Sequence, residues 1–227
     1  MEYCRPVAET DGVPLRSIAQ TPGFDPVRTW GPGPILLVKP ASEDLRSRAE
    51  TPALKLGMDL ASTSHITDVD KNLTDFFHAD TRLVPIRKTD RNQARDRVLI
   101  GRARTCDVRI SEPTVSKVHA AILFPPSWPM LEEPGGWRLR DCHSRNGTWV
   151  PVPSGRAQAA PASGPGLALF PGTQILFGAV EAVFVDADYM RDALEIAVKQ
   201  WKERDLEQAR RTSPDTDLIP RLEEDLS

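Results

Sequence analysis

Three cysteines, few aromatic side chains and no long apolar run mark this sequence, and each scarcity removes a class of protein. Cys4, Cys106 and Cys142 form an odd set with no CxxC pair, which argues against a disulfide framework and for a reducing compartment. No stretch approaches the ~18 consecutive apolar residues of a membrane-spanning helix, so no membrane association is expected. The start, Met1-Glu2-Tyr3-Cys4-Arg5-Pro6, lacks the apolar core of a signal peptide, and a lipoprotein reading of Cys4 fails for the same reason. The expected location is therefore cytoplasmic.

Charge of one sign is also missing. The 29 Lys and Arg against 32 Asp and Glu leave a net charge of −3, so the whole protein is no obvious nucleic-acid binder. Aromatic residues make up only 6 % of a 227-residue chain that holds 21 prolines and 14 glycines, and part of it is expected to lie outside any core. Signatures of catalysis are absent: there is no Walker-type Gly-Lys-Ser/Thr loop, no GxSxG elbow and no kinase motif set. Cys106, Cys142, His143 and His119 lack the spacing of metal ligands. No metal, no cofactor and no enzymatic activity are expected.

What is present changes along the chain. Residues 1–57 carry Pro6, Pro14, Pro22, Pro26, Pro32, Pro34, Pro40 and Pro52 among Gly, Ser and Thr, a composition that reads as a disordered, flexible arm. Its exception is Ile35-Leu36-Leu37-Val38, which would add a strand or dock on the domain. Over 58–81, Ile66, Val69, Leu73, Phe76 and Phe77 fall at helical spacing, which predicts an amphipathic helix laid on the following domain. Residues 82–187 consist of short alternating runs with Gly and Pro punctuation and no helical pattern, the signature of an all-β sandwich. Within them, 151–166 is rich in Pro, Ala, Gly and Ser and reads as a long mobile loop. A second amphipathic helix is predicted over 188–212, with Met190, Leu194 and Trp201 on one face, before an acidic tail over 213–227.

The distinctive polar residues sit near the ends of the period-two runs Val98/Ile100, Val108/Ile110, Val118/Ala120/Ile122 and Trp137/Leu139, where a rigid sheet can present them to a ligand. Arg102 offers a planar fork for two oxygens of a phosphate, Ser116 a hydroxyl donor, Lys117 a mobile positive charge, and Asn146 both a donor and an acceptor for an extended peptide backbone. Taken singly, each has a plain structural reading: a surface arginine, a turn serine, a hairpin Asn-Gly.

In order and spacing, however, Gly101-Arg102, Ser116-Lys117-Val118-His119, Asp141 and Ser144-Arg145-Asn146-Gly147-Thr148 resemble the forkhead-associated (FHA) domain. The later run Leu169 to Gly178 resembles its closing strands. The resemblance covers about residues 82–186. It implies a sandwich of about eleven strands whose apical loops bind phosphothreonine peptides. On it, Arg102 and Ser116 contact the phosphate, Lys117 adds charge where the family more often has Arg, and Asn146 bonds the ligand backbone. Arg145, at a variable position, favours acidic residues after the phosphothreonine. Gly101, His119, Ser144, Gly147 and Thr148 support the loops, His119 without touching the ligand.

Between Arg82 and Lys117 there are ten Lys and Arg against four Asp and Glu, a basic stretch suited to an anionic ligand. The implied function is an adaptor in Ser/Thr-kinase signalling, with a phosphothreonine-containing protein, a kinase or its substrates as partners. The alternatives are an FHA-like sandwich used for phosphate-independent protein contacts and, more remotely, nucleic-acid binding through the basic stretch.

Overall fold

The computed structural model describes residues 12–43 (Pro22 aside), 46, 80–124, 136–151, 157–194, 199 and 203. Fourteen elements are assigned among them: β1 Val13–Pro14, α1 Leu15–Ala19, α2 Pro26–Trp30, β2 Ile35–Val38, β3 Arg82–Pro85, β4 Arg97–Gly101, β5 Val108–Arg109, β6 Ala120–Leu123, β7 Arg138–Asp141, β8 Thr148–Pro151, β9 Ala157–Ala159, β10 Leu167–Ala168, β11 Thr173–Phe177 and β12 Val180–Val185. The strands form a seven-stranded sheet, β1-β3-β2-β12-β11-β8-β9, and a five-stranded sheet, β10-β7-β6-β4-β5. All neighbours are antiparallel except β4 and β5. The fold is the expected all-β sandwich.

Alternation places the core. Val98, Ile100, Ala120, Ile122 and Leu139 of the smaller sheet meet Leu36, Val84, Ile175, Phe177 and Phe184 of the larger one in a single buried cluster. Residues one step along the same strands point the other way, as period-two geometry demands. Ile35, Leu37, Leu83, Val183 and Val185 form a second cluster on the outer face of the seven-stranded sheet, where Leu15 and Ile18 of α1 and Met190 and Leu194 of the helical residues 187–194 cover them. The described part of the predicted C-terminal helix is thus packed on the sandwich. Beyond Leu194 all positions but 199 and 203, Trp201 included, lie outside the described residues, as do the predicted helix up to residue 79 and the tail.

The structure departs from the sequence reading within 1–57. Ile35–Val38 is the strand expected there, β2, lying between β3 and β12 and buried at all four positions, but the proline-rich residues before it, expected as arm, also fold: β1 pairs with β3 and α1 covers the outer face of the larger sheet. Prolines do not prevent this because they stand where a missing N–H costs nothing. Pro26 opens α2 at its first turn, which Asp25 caps by accepting from the backbone N–H of Val27 at 2.8 Å. Pro14 is in the two-residue edge strand β1. A second departure falls in 151–166, expected as a loop: residues 157–159 form β9, paired with β8, and Ala160 enters the core. Third, Val118 belongs to no strand and is 37 % exposed; β6 begins at Ala120.

Candidate functional site

Four connections meet beside one another: 102–107 between β4 and β5, 110–119 between β5 and β6, 142–147 between β7 and β8, and the tight turn 178–179 between β11 and β12. Arg102, Ser116, Lys117, Arg145 and Asn146 all lie on the first three, and hydrogen bonds between these loops bring them together.

Gly101 and Arg102 join the first loop to the second. Arg102 N–H donates to the Ser116 carbonyl at 2.9 Å, and Ala103 N–H donates to that of Lys117 at 2.9 Å. A side chain at position 101 would collide with the Lys117 carbonyl, so glycine permits this close approach. The Arg102 Nε–H donates to the Val115 carbonyl at 3.2 Å. That bond fixes the guanidinium while its two terminal nitrogens carry no hydrogen bond among the described residues.

Ser116 joins the second loop to the third. Its Oγ accepts from the Arg145 backbone N–H at 2.9 Å; with that lone pair used, its own proton is left to donate elsewhere. The Lys117 and Arg145 side chains are exposed. The Asn146 Nδ2 donates to the Thr114 carbonyl at 2.7 Å, and the Asn146 carbonyl accepts from the Trp149 indole at 3.1 Å. Asn146 is thus held from both sides, and its Oδ1 faces no protein donor among the described residues.

Beneath these groups lies a buried polar layer. His119 is fully buried. Its Nδ1 accepts from Ser116 N–H at 3.0 Å and its Nε2 contacts the Gly147 carbonyl at 3.0 Å. This pairing requires the neutral ring with the proton on Nε2. Burial pushes the imidazole below its ordinary pKa, against the opposing pull of the Gly147 carbonyl and Asp141. The ring therefore meets the Ser116 backbone and not its hydroxyl, an arrangement that does not set up a nucleophile and base. Asp141 accepts from Ser144 N–H at 2.9 Å, Ser144 Oγ–H at 2.6 Å and Thr148 Oγ1–H at 2.7 Å, folding the third loop onto the end of β7. Gly147 has φ +78°, and a Cβ there would stand 2.6 Å from the Trp149 Nε1. Glycine is required on both counts.

All ten site residues named from the sequence are thus placed in one connected cluster. Three participants were not given a role by sequence reasoning. Asp141 was noted only as part of the motif. Thr114 takes part through its carbonyl toward Asn146, and through its hydroxyl, which accepts from Ala179 N–H at 3.1 Å. Trp149 acts through its indole. A backbone carbonyl leaves no sequence signal, so Thr114 was not readable at all; Trp149, two residues after an Asn-Gly, was at least visible as the only aromatic of β8.

The basic stretch divides on inspection. Lys88 is spent on Asp107, at 2.9 Å. Burial by itself would raise the Asp107 pKa, but the Leu99 N–H, the Thr89 hydroxyl and Lys88 hold it below the usual carboxylate range. Arg97 pairs with Asp96. Arg102, Arg104 and Lys117 lie exposed on the loops. The Cys106 thiol, buried and donating to the Lys117 carbonyl at 3.2 Å, is pushed up to about 11 by desolvation, so it is a structural thiol and no thiolate nucleophile. Among the described residues no group of three or more His, Cys, Asp or Glu could hold a metal ion, and no helix is long and apolar enough to cross a membrane.

Comparison with known proteins agrees with the motif order. Residues 98–178 match the family model described as FHA domain. No curated protein matches the chain. Among solved structures, it is similar to the second FHA domain of a Mycobacterium tuberculosis ABC transporter, at 32 % identity over 45 % of this chain and 79 % of that one, with a TM-score of 0.30. It is also similar to the FHA domain of yeast Dun1 in complex with a doubly phosphorylated peptide, at 26 % identity over 47 % and 67 % of the two chains, TM-score 0.32. A third structure, from work on phosphothreonine-dependent FHA domain interactions, shares 22 % identity over 46 % and 83 %, TM-score 0.31. With β4 to β11 in two facing sheets and the motif residues gathered on their connecting loops, residues 98–178 are an FHA domain, an interaction module by family.

Proposed function

We propose that the loop cluster binds a phosphothreonine-containing peptide and that the protein acts as an adaptor in Ser/Thr-kinase signalling. The observation that carries this reading is the state of Arg102 and Ser116. The first is anchored through Nε with its terminal nitrogens unspent, and the second accepts from Arg145 N–H so that its proton is left to donate. Two such donors on adjoining loops suit a dianionic group, since a phosphorylated threonine carries about −1.5 to −2 charges at neutral pH. Lys117 adds positive charge at the rim, Asn146 holds the peptide backbone through Oδ1, and Arg145 faces the residues that follow the phosphothreonine.

Magnitudes favour a phosphate-dependent interaction. Each charge-assisted hydrogen bond nets about 1.5 to 3 kcal/mol. Three of them, less the cost of association, are consistent with micromolar binding, about −8 kcal/mol. Burial of the threonine methyl adds only about 0.8 kcal/mol, so the phosphate dominates affinity.

The test is titration of the full chain with an oriented phosphothreonine peptide library, beside unphosphorylated and phosphoserine versions and an Arg102→Ala variant. Binding that needs the phosphate and is weakened by about tenfold or more in the variant supports the reading and yields the consensus of the partner. Binding indifferent to phosphate leaves a sandwich that contacts proteins by another surface.

A further inference from the structure

The turn Gly178-Ala179, between β11 and β12, carries none of the ten ligand-facing or supporting residues, yet it touches the groups that hold one of them. Ala179 N–H donates to the Thr114 hydroxyl at 3.1 Å, and both residues are buried. Gly178 N–H donates to the Gly147 carbonyl at 3.2 Å, the same oxygen that His119 Nε2 meets at 3.0 Å. Gly178 itself has φ +62°, and a Cβ there would stand 2.6 Å from the Thr114 carbonyl oxygen. The turn therefore lies directly against the Thr114 peptide group.

These contacts converge on Asn146. The Thr114 carbonyl accepts from Asn146 Nδ2 at 2.7 Å. A carbonyl can only accept, so the amide must present its nitrogen there, and because the group is planar its Oδ1 is aimed away from Thr114. Where that carbonyl stands thus decides where Oδ1 points. The carbonyl has little freedom to move. The Cα of Gly178 packs beside it, and a shift of Thr114 would leave the buried Ala179 N–H without an acceptor, which burial penalises.

We propose that Gly178-Ala179 is a positioning turn: it fixes the Thr114 peptide group so that Asn146 directs Oδ1 out of the loop cluster. Gly178 and Thr114 are positioning residues, acting through Asn146 without touching a ligand. The larger sheet thereby contributes to recognition through the hairpin between two of its interior strands. The consequence for peptide binding rests on the phosphopeptide reading; the aim of the amide does not.

NMR and peptide titration on the full chain test it, with two variants. Thr114→Val keeps the shape and removes the hydroxyl, and Gly178→Ala sets a carbon against the Thr114 carbonyl. In the unaltered chain the Asn146 side-chain amide protons should exchange with water about tenfold more slowly than those of an unstructured peptide, and either variant should remove that protection. Each variant should weaken phosphothreonine-peptide binding about three- to tenfold. Neither should weaken it further in an Asn146→Ala background, because residues that act through one group are not additive. An unprotected Asn146 amide in the unaltered chain overturns the proposal, and so does protection that persists in both variants. A loss of affinity that adds in full to that of Asn146→Ala also overturns it, since the effect would then act through Ser116. Should Gly178→Ala not fold, Thr114→Val decides. If no phosphopeptide binds the unaltered chain, the ligand reading fails while amide protection still decides for or against the positioning turn.

Discussion

At the loop end, His119, Asp141 and the Thr114 carbonyl hold three loops through hydrogen bonds aimed at single backbone or hydroxyl groups. On the outer face of the seven-stranded sheet, Leu15, Ile18, Met190 and Leu194 cover Ile35, Leu37, Leu83 and Val185 by apolar contact. The two regions stand on the same strands and use opposite physics. A hydrogen bond is directional and sets a position to within tenths of an ångström, as the proposed presentation of these loop groups to a ligand requires. Apolar burial is non-directional and proportional to area, as suits a face that has only to stay covered. Stability should therefore be concentrated on the covered face and recognition at the loops, and substitutions should separate the two.

The largest effect is expected on the covered face. Leu37→Ala removes a fully buried side chain from beneath α1 and should cost about 2 to 5 kcal/mol of stability. Denaturant unfolding measures this, with phosphopeptide affinity of the folded fraction unchanged. A parallel fall in intrinsic affinity would break the separation. Conversely, Arg102→Ala should weaken phosphopeptide binding by the equivalent of about 1.5 to 3 kcal/mol, some ten- to a hundredfold, and leave the melting temperature in place. Calorimetric titration beside a thermal melt reads both.

Asp141→Asn should fall between the two regions. It keeps the shape but loses the charge that three donors share, with an expected cost of about 1 to 3 kcal/mol in stability together with weaker binding as the Asn146 turn loosens. The smallest effect is a pH dependence. His119 is neutral when folded and its pKa is depressed, so its contribution to stability is complete above about pH 6.5. It is lost as pH falls through the lower folded value, because the unfolded chain takes up the proton first. Unfolding midpoints between pH 7.5 and 5 should show this decline, and His119→Gln should flatten it. An undiminished slope in that variant would place the titration elsewhere.

Much of this organisation was legible beforehand, for reasons that can be stated residue by residue. Val98, Ile100, Ala120, Ile122 and Leu139 alternate because one face of their sheet meets the core and the other meets solvent or loops, and that pattern gave the sandwich. Ile35 to Val38 shows no alternation because both of its faces are buried, one by the core and one by α1. A run of four apolar residues among prolines therefore looked like an exception within an arm, although it is an interior strand. Residues 157–159, Ala-Gln-Ala, have no strand-forming side chains; pairing with β8 makes them a strand. The site's polar residues could be named because their types and spacing are distinctive. What they rest on could not, since the Thr114, Val115 and Gly147 carbonyls that receive Asn146, Arg102 and His119 are the same in any sequence.

The position of β2 bears on how this module can be moved from one protein to another. A piece cut to residues 82–187 would keep every site residue yet delete the strand that hydrogen-bonds to both β3 and β12. Two long ladder edges would then lie bare in the middle of the larger sheet, an invitation to strand exchange between copies. The FHA domain is thus not a self-contained cassette: its portable form starts upstream of Ile35, and a fusion or truncation that respects only the 98–178 match would lose interior strands of the larger sheet.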